Sequence, residues 1–427
     1  MMSGTLVGSS QKQARLEVGR AHNQPVTVPP PIHALLPLEA RLLILSAQSR
    51  LDAASTARLR QTIEEGVVWA RFFRIAHAHG VHPLVARTLL GCGADLMPSR
   101  EQEVLRGWLH RTFGRNLQLI RGLGEILSSF KTTGIPAVCL KGPGLALRAY
   151  GGLEARACND LDVIVPPGNL ARASALLLDL GFERIFPHLT PEERAFFLRG
   201  FGHHETFLRQ RDRLAVELHW SLGHEELGAA SVSDLIWERC EQVGAEGVLL
   251  PVMPRVETVL YQARHAGQHW WNVLRHLCDF HETAQQLQPG DWETVVAEAQ
   301  RSRHSAVLGV TALLVREYFG TAIPGPIERL FGLKGIDRAV HWQAGLASRC
   351  LAANLREGAW QRPPVLLGGM RQPGLIAWVR QLAPLLVAVS RPCIHERNWV
   401  WLPAPLWPLY YLIRPVRLGL KYGRRAF

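Results

Sequence analysis

Between residues 33 and 130, apolar positions recur every three or four residues. Examples are Leu42-Leu43-Ile44-Leu45, Val67-Val68-Trp69, Phe72-Phe73 with Ile75, and Leu105 with Trp108-Leu109. That period places them on one helix face, so the stretch predicts a succession of amphipathic helices, punctuated at Gly80 and Pro83. The pattern changes at Gly134. Ile135–Leu140 is a short continuous apolar run, and Asp160-Leu-Asp-Val-Ile-Val165 alternates; both read as strands. Lys141-Gly-Pro-Gly144 and a brief helix to Tyr150 lie between them. Asn169–Leu180 has the helical period again and stops at Gly181. His204–Leu208 and Leu214–His219 flank Arg209-Gln-Arg-Asp-Arg213, which predicts a hairpin. From Val232 onward helices dominate, with a long one over about 256–286.

These elements predict an α+β fold, a small mixed sheet flanked by N- and C-terminal helical regions. The expected divisions are a flexible, Pro-rich arm at 1–32, a helical region at 33–130 and the α/β core at 131–222. A second helical region follows at 223–390, then an aromatic and basic tail at 391–427. The net charge of +12 favours phosphates, nucleotides or acidic partners. The basic residues are scattered, and all but five are arginine (the lysines are 12, 131, 141, 334 and 421), so a coding bias accounts for much of the balance. No nucleic-acid-binding module is recognisable, which argues against sequence-specific nucleic-acid partners. Seven dispersed cysteines, with no CxxC, and no secretory signal point to reduced thiols and a cytoplasmic protein. The tail (Trp399, Trp401, Trp407, Tyr410, Tyr411) is broken by prolines and too short to span a bilayer. It reads as packing, and its basic end (Lys421, Arg424, Arg425) allows a weak peripheral membrane contact.

The chemistry concentrates in the predicted sheet. Alternate strand residues share a face, so Asp160 and Asp162 point the same way. Paired carboxylates suit Mg²⁺ or Mn²⁺, although an isolated Asp-x-Asp is more often a solvent-facing strand edge. Three neighbours favour the metal. Lys141-Gly142-Pro-Gly144 joins a strand to a helix start, where backbone N–H groups and a lysine can hold phosphates; its plain alternative is a tight turn. Arg156 lies four residues before Asp160, in the loop expected to cross the phosphates. Glu217 and His219 alternate onto one face of the hairpin, and a third carboxylate can complete a metal site and accept a proton. His265 and His269 stand at i and i+4 on one helix face. They lack a nearby third ligand in sequence, so a buried, satisfied pair fits better than zinc. His203-His204 reads as structural.

The series Leu140-Lys-Gly142, Arg156-x-x-x-Asp160-Leu-Asp162 and Val216-Glu-Leu-His-Trp220 resembles the bacterial uncharacterised nucleotidyltransferase family of the DNA polymerase beta-like superfamily. So do Trp69, His79-Gly-Val-His-Pro83, Gly181-Phe182 and His265-x-x-x-His269-Trp270 with Leu274 and Asp279. The similarity covers about residues 35–290. It differs from the wider superfamily in having Lys141-Gly142 at the first turn, in place of Gly-Ser, and glutamate as third carboxylate. The resemblance implies a metal-dependent enzyme that moves a nucleotidyl group from a nucleoside triphosphate to an acceptor not specified by the sequence. Asp160, Asp162 and Glu217 would be catalytic and bind metal; Lys141, Gly142, Gly144, Arg156, His219, His265 and His269 would contact the nucleotide. Two other readings stay open: a tailoring enzyme of a natural-product or polysaccharide cluster that uses a sugar nucleotide, and a non-catalytic nucleotide-binding module.

Overall fold

A computed structural model describes residues 35–186, 188–199, 202–222, 235–331, 336–357 and 392–422. Its centre is a mixed sheet of β1 (Val138–Cys139), β2 (Leu161–Ile164), β3 (Glu183–Arg184), β4 (His204–Arg209), β5 (Leu214–His219), β6 (Glu241–Ala245) and β7 (Val248–Val252). The spatial order is β3-β4-β5-β2-β1-β7-β6. The hairpin β4–β5 forms as its turn residues predict. Arg209 reaches back to Asp212 at 2.7 Å, and Arg213 takes the left-handed conformation (φ +55°) that a tight reversal needs. Strand β5 returns beside β2 in parallel, so that Asp162 stands opposite Glu217 and Ile164 opposite His219.

The period-two alternation then sorts the two faces. Leu161, Val163, Val216, Leu218 and Phe207 pack against Leu119, Ile120, Leu123, Ile126 and Phe130 of the helix Ser99–Thr132, and against the helix Leu170–Asp179. The other face carries Asp162, Glu217 and His219, beside a smaller apolar group of Val138, Leu140, Ile164, Met253 and Tyr261. One face is therefore committed to the core and the opposite one is left for polar side chains.

Helices flank the sheet at both ends of the chain, as expected. Helices Leu38–Ser46, Ala53–Glu64, Trp69–Ala78 and His82–Cys92 share one apolar core with Arg255–Gln268, Leu274–Ala284, Asp291–Arg301, Ser305–Phe319 and Ile336–Glu357. The two helical regions, distant in sequence, are thus a single packed layer.

The structure departs from expectation at two places. The stretch beyond 222 supplies two strands, because β7 pairs in parallel with β1 and β6 closes that edge. The single helix expected over 256–286 is two, Arg255–Gln268 and Leu274–Ala284. Trp270 and Trp271 break it, both at positive φ (60° and 49°). The arm at 1–32, and Arg424 and Arg425 of the tail, lie outside the described residues. Among the described residues, no helix is long and apolar enough to cross a membrane.

Candidate functional site

Asp162 lies at the middle of the polar face. It is 3% exposed, and its Oδ1 lies 3.0 Å from Lys141 Nζ and 3.3 Å from His219 Nε2. His219 also approaches Glu217, with Nε2 3.4 Å from Oε2. Asp162, Glu217 and His219 can each turn one ligand atom to within 4.8 Å of the others. Asp160 sits just before β2, and Gly142 packs on its backbone; a Cβ at Gly142 would lie 3.4 Å from the Asp160 carbonyl oxygen.

Burial disfavours every charge here, so the charges survive only through one another. Burial works against the ionised Asp162, but Lys141 and His219 outweigh it and hold the carboxyl below the usual range. Asp160 goes the other way: burial first, then the Asp162 charge, raise it despite Lys141. Glu217 is lowered in spite of burial by His219 and His204. His219 is raised in spite of burial by Asp162 and Glu217. Two neighbouring carboxyls pushed in opposite directions are a pattern met at catalytic centres.

The turn after β1 explains its glycines. Gly142 opens the helix Gly142–Tyr150 at φ +66°, a conformation costly to other residues. Gly144 is required for a different reason, since a Cβ there would come within 2.7 Å of Val252 Cγ1 on β7. No side chain caps this helix, and Pro143 in its first turn has no N–H to satisfy.

Of the residues singled out in the sequence, Lys141, Gly142, Gly144, Asp160, Asp162, Glu217 and His219 come together. Arg156 is held in a buried ion pair. Its guanidinium is buried and bidentate to Asp279 (Nε–Oδ1 and Nη2–Oδ2, both 2.8 Å), and Tyr150 Oη donates to the same carboxylate at 2.6 Å. His265 and His269 keep their i, i+4 relation and are joined by His276, with all three ring centroids 4.6–4.9 Å apart.

Three neighbours of the site escaped the sequence reading. His204, taken as structural, lies 3.8 Å from Glu217. Its place was available by counting outward from the turn, since pairing Arg209 with Leu214 puts His204 opposite His219. Tyr261 is buried within the field of Lys141 and Asp162, and burial pushes its phenol up to about 12. His276 lies beyond the break at Trp270-Trp271, and no periodicity links it to His269.

The residues fit a divalent ion. Asp162 Oδ1 is a buried carboxylate oxygen without a hydrogen bond of good geometry, and Glu217 supplies a second hard oxygen beside it. Residues 65–320 match the family described as uncharacterised nucleotidyltransferase. No curated protein and no solved structure matches. The matched span contains every residue of the site and more than half of the chain. The protein is therefore a nucleotidyltransferase of the uncharacterised nucleotidyltransferase family.

Proposed function

We propose that the enzyme transfers a nucleotidyl group from a nucleoside triphosphate to a hydroxyl, phosphate or protein acceptor, with Asp160, Asp162 and Glu217 holding Mg²⁺ or Mn²⁺. The observation that carries this is the parallel register of β2 and β5. It sets Asp162 beside Glu217 on one sheet face, with Lys141 3.0 Å from Asp162. Bound there, a divalent ion would neutralise charge on the transferring phosphoryl group. Lys141 and the uncapped N–H groups of the helix Gly142–Tyr150 position the triphosphate. His219, between Asp162 and Glu217, orients both carboxylates. Glu217 takes the proton of the acceptor hydroxyl as its oxygen attacks the α-phosphorus. The α–β bridging bond breaks and pyrophosphate leaves. His265 and His269, on the helix that also carries Tyr261, line the nucleotide side.

The test is intact-mass spectrometry of purified protein and candidate acceptors incubated with each triphosphate and Mg²⁺, the protein itself being one acceptor. A nucleotidyl adduct and free pyrophosphate are expected. Turnover should drop about 10³-fold or more in Asp162→Asn, the scale of several kcal/mol of charge stabilisation at the transition state. An adduct formed equally fast by Asp162→Asn would overturn the assignment.

A further inference from the structure

The histidine trio His265, His269 and His276 is a cluster of ligand-type side chains apart from the carboxylates, drawn from the helix Arg255–Gln268, the residue that ends it and the helix Leu274–Ala284. Sequence spacing yields only the first two. The third arrives because the chain reverses at Trp270-Trp271, two consecutive residues in the left-handed region. The reversal is fixed from several sides. Trp271 N–H donates to the Ala266 carbonyl at 2.8 Å, and the Trp271 indole donates to Thr311 Oγ1 at 2.8 Å. Asn354 Nδ2 donates to the Asn272 carbonyl at 3.1 Å. The following helix, Leu274–Ala284, then brings His276 back against its predecessor. Two non-glycine residues at positive φ are a local cost, and the arrangement they secure is the convergence of three imidazoles.

We infer that His265, His269 and His276 form a binding site for a borderline divalent metal of the Zn²⁺ class, distinct from the carboxylate site. One ring nitrogen from each can lie within 4.8 Å of the others, and no carboxylate or thiolate belongs to the set. Imidazole nitrogen suits Zn²⁺ and its neighbours in the first transition row, whereas Mg²⁺ prefers the oxygens of Asp160, Asp162 and Glu217. His276 is 4% exposed and its Nδ1 has no hydrogen-bond partner, a cost for a buried polar atom that a metal would remove. His269, in contrast, is exposed. Three protein ligands and a solvent-facing side correspond to an open zinc site, which keeps a position for water or substrate. The Tyr261 ring lies parallel to His265, centroids 6.1 Å apart, and belongs to the apolar group on the carboxylate face of the sheet. The trio therefore lies beside that face.

The experiment uses the full-length protein, stripped with chelator, gel-filtered and loaded with Zn²⁺ or Co²⁺ alone. One zinc per chain should be retained, which at working concentrations means a dissociation constant at or below roughly 1 µM. X-ray absorption of the zinc-loaded wild type should show three imidazole nitrogens at about 2.0–2.1 Å. His269→Ala, at an exposed position, and His265→Ala should each weaken zinc binding by at least the roughly 10–100-fold that loss of an outer-shell partner costs. Asp162→Asn and His203→Ala should leave it unchanged, which separates this site from the carboxylates and from the histidines of the hairpin. No zinc retained by wild type, an oxygen-only shell, or undiminished binding in both histidine variants would overturn the assignment.

Discussion

Asp160 and Asp162 are two residues apart at the start of β2, yet their surroundings shift their carboxyls in opposite directions. Asp162 is ionised against Lys141, a lysine that is itself largely enclosed (side chains 1% and 15% exposed). Asp160 is pushed toward its protonated form by burial and by the Asp162 charge. Asparagine at the two positions should therefore act differently on the metal-free protein. Asp162→Asn leaves the Lys141 ammonium enclosed without its counter-charge and should destabilise by up to about 3 kcal/mol. Asp160→Asn removes a like-charge neighbour and should be neutral or mildly stabilising at pH 7. Urea denaturation in excess EDTA measures both. Equal losses in the two variants would mean that the Lys141–Asp162 pair does not organise the site.

Among the elements, the loop before β2 and the helix Leu274–Ala284 are joined by a buried bridge of Arg156, Asp279 and Tyr150. Arg156 and Asp279 are 7% and 1% exposed, so neither charge can be solvated if the other is removed. Asp279→Ala should cost about 3–5 kcal/mol, and Arg156→Met combined with Asp279→Leu should recover part of the loss, because a well-packed apolar pair can replace a buried ion pair. The same double variant tests the role expected for Arg156 from sequence. With the bridge replaced and the fold retained, KM for the triphosphate should change less than threefold; a tenfold or larger rise would return Arg156 to the phosphates. Gly144 has a comparable packing role, since only a residue without Cβ lets the helix Gly142–Tyr150 meet Val252 of β7.

Over the whole molecule, the N-terminal and C-terminal helices are held together by a polar contact as well as by their shared core. His79, 1% exposed, accepts the Leu274 N–H through Nδ1 at 3.2 Å, and its carbonyl accepts from Arg275 N–H at 3.3 Å. Burial lowers the His79 imidazole from the usual 6.5 to about 4. A histidine held neutral in the fold takes up a proton more readily once unfolded. Its contribution is complete above pH 6.5 and is lost as pH falls toward 4, by about 3 kcal/mol in all. His82 and His281, lowered by burial to about 3 and about 4, steepen the same limb. Stability measured by urea denaturation from pH 7.5 to 4.5 should decline more gently in His79→Gln, which retains an acceptor that does not titrate in this range. An unchanged slope would show that this contact does not carry the pH dependence.

The residues of the catalytic face were legible in the chain because their arrangement is local. Strand alternation alone puts Asp160 with Asp162, and Glu217 with His219. The hairpin turn at 210–213 sets the β4–β5 register without reference to the rest of the fold. The early helices follow likewise from their apolar period and from Gly80 and Pro83. Other features rest on contacts between residues far apart in sequence, which no period records. The partner of Arg156 lies 123 residues away, so only packing could bring Asp279 to it. Strand β6, Glu241-Gln-Val-Gly-Ala, lies at the sheet edge with no residue fully buried, and shows little of the apolar alternation that marks a strand. His276 joins His265 and His269 only because Trp271 is anchored in a core built from helices of both halves of the chain. Local geometry thus determined which side chains share a face; tertiary packing decided what that face meets.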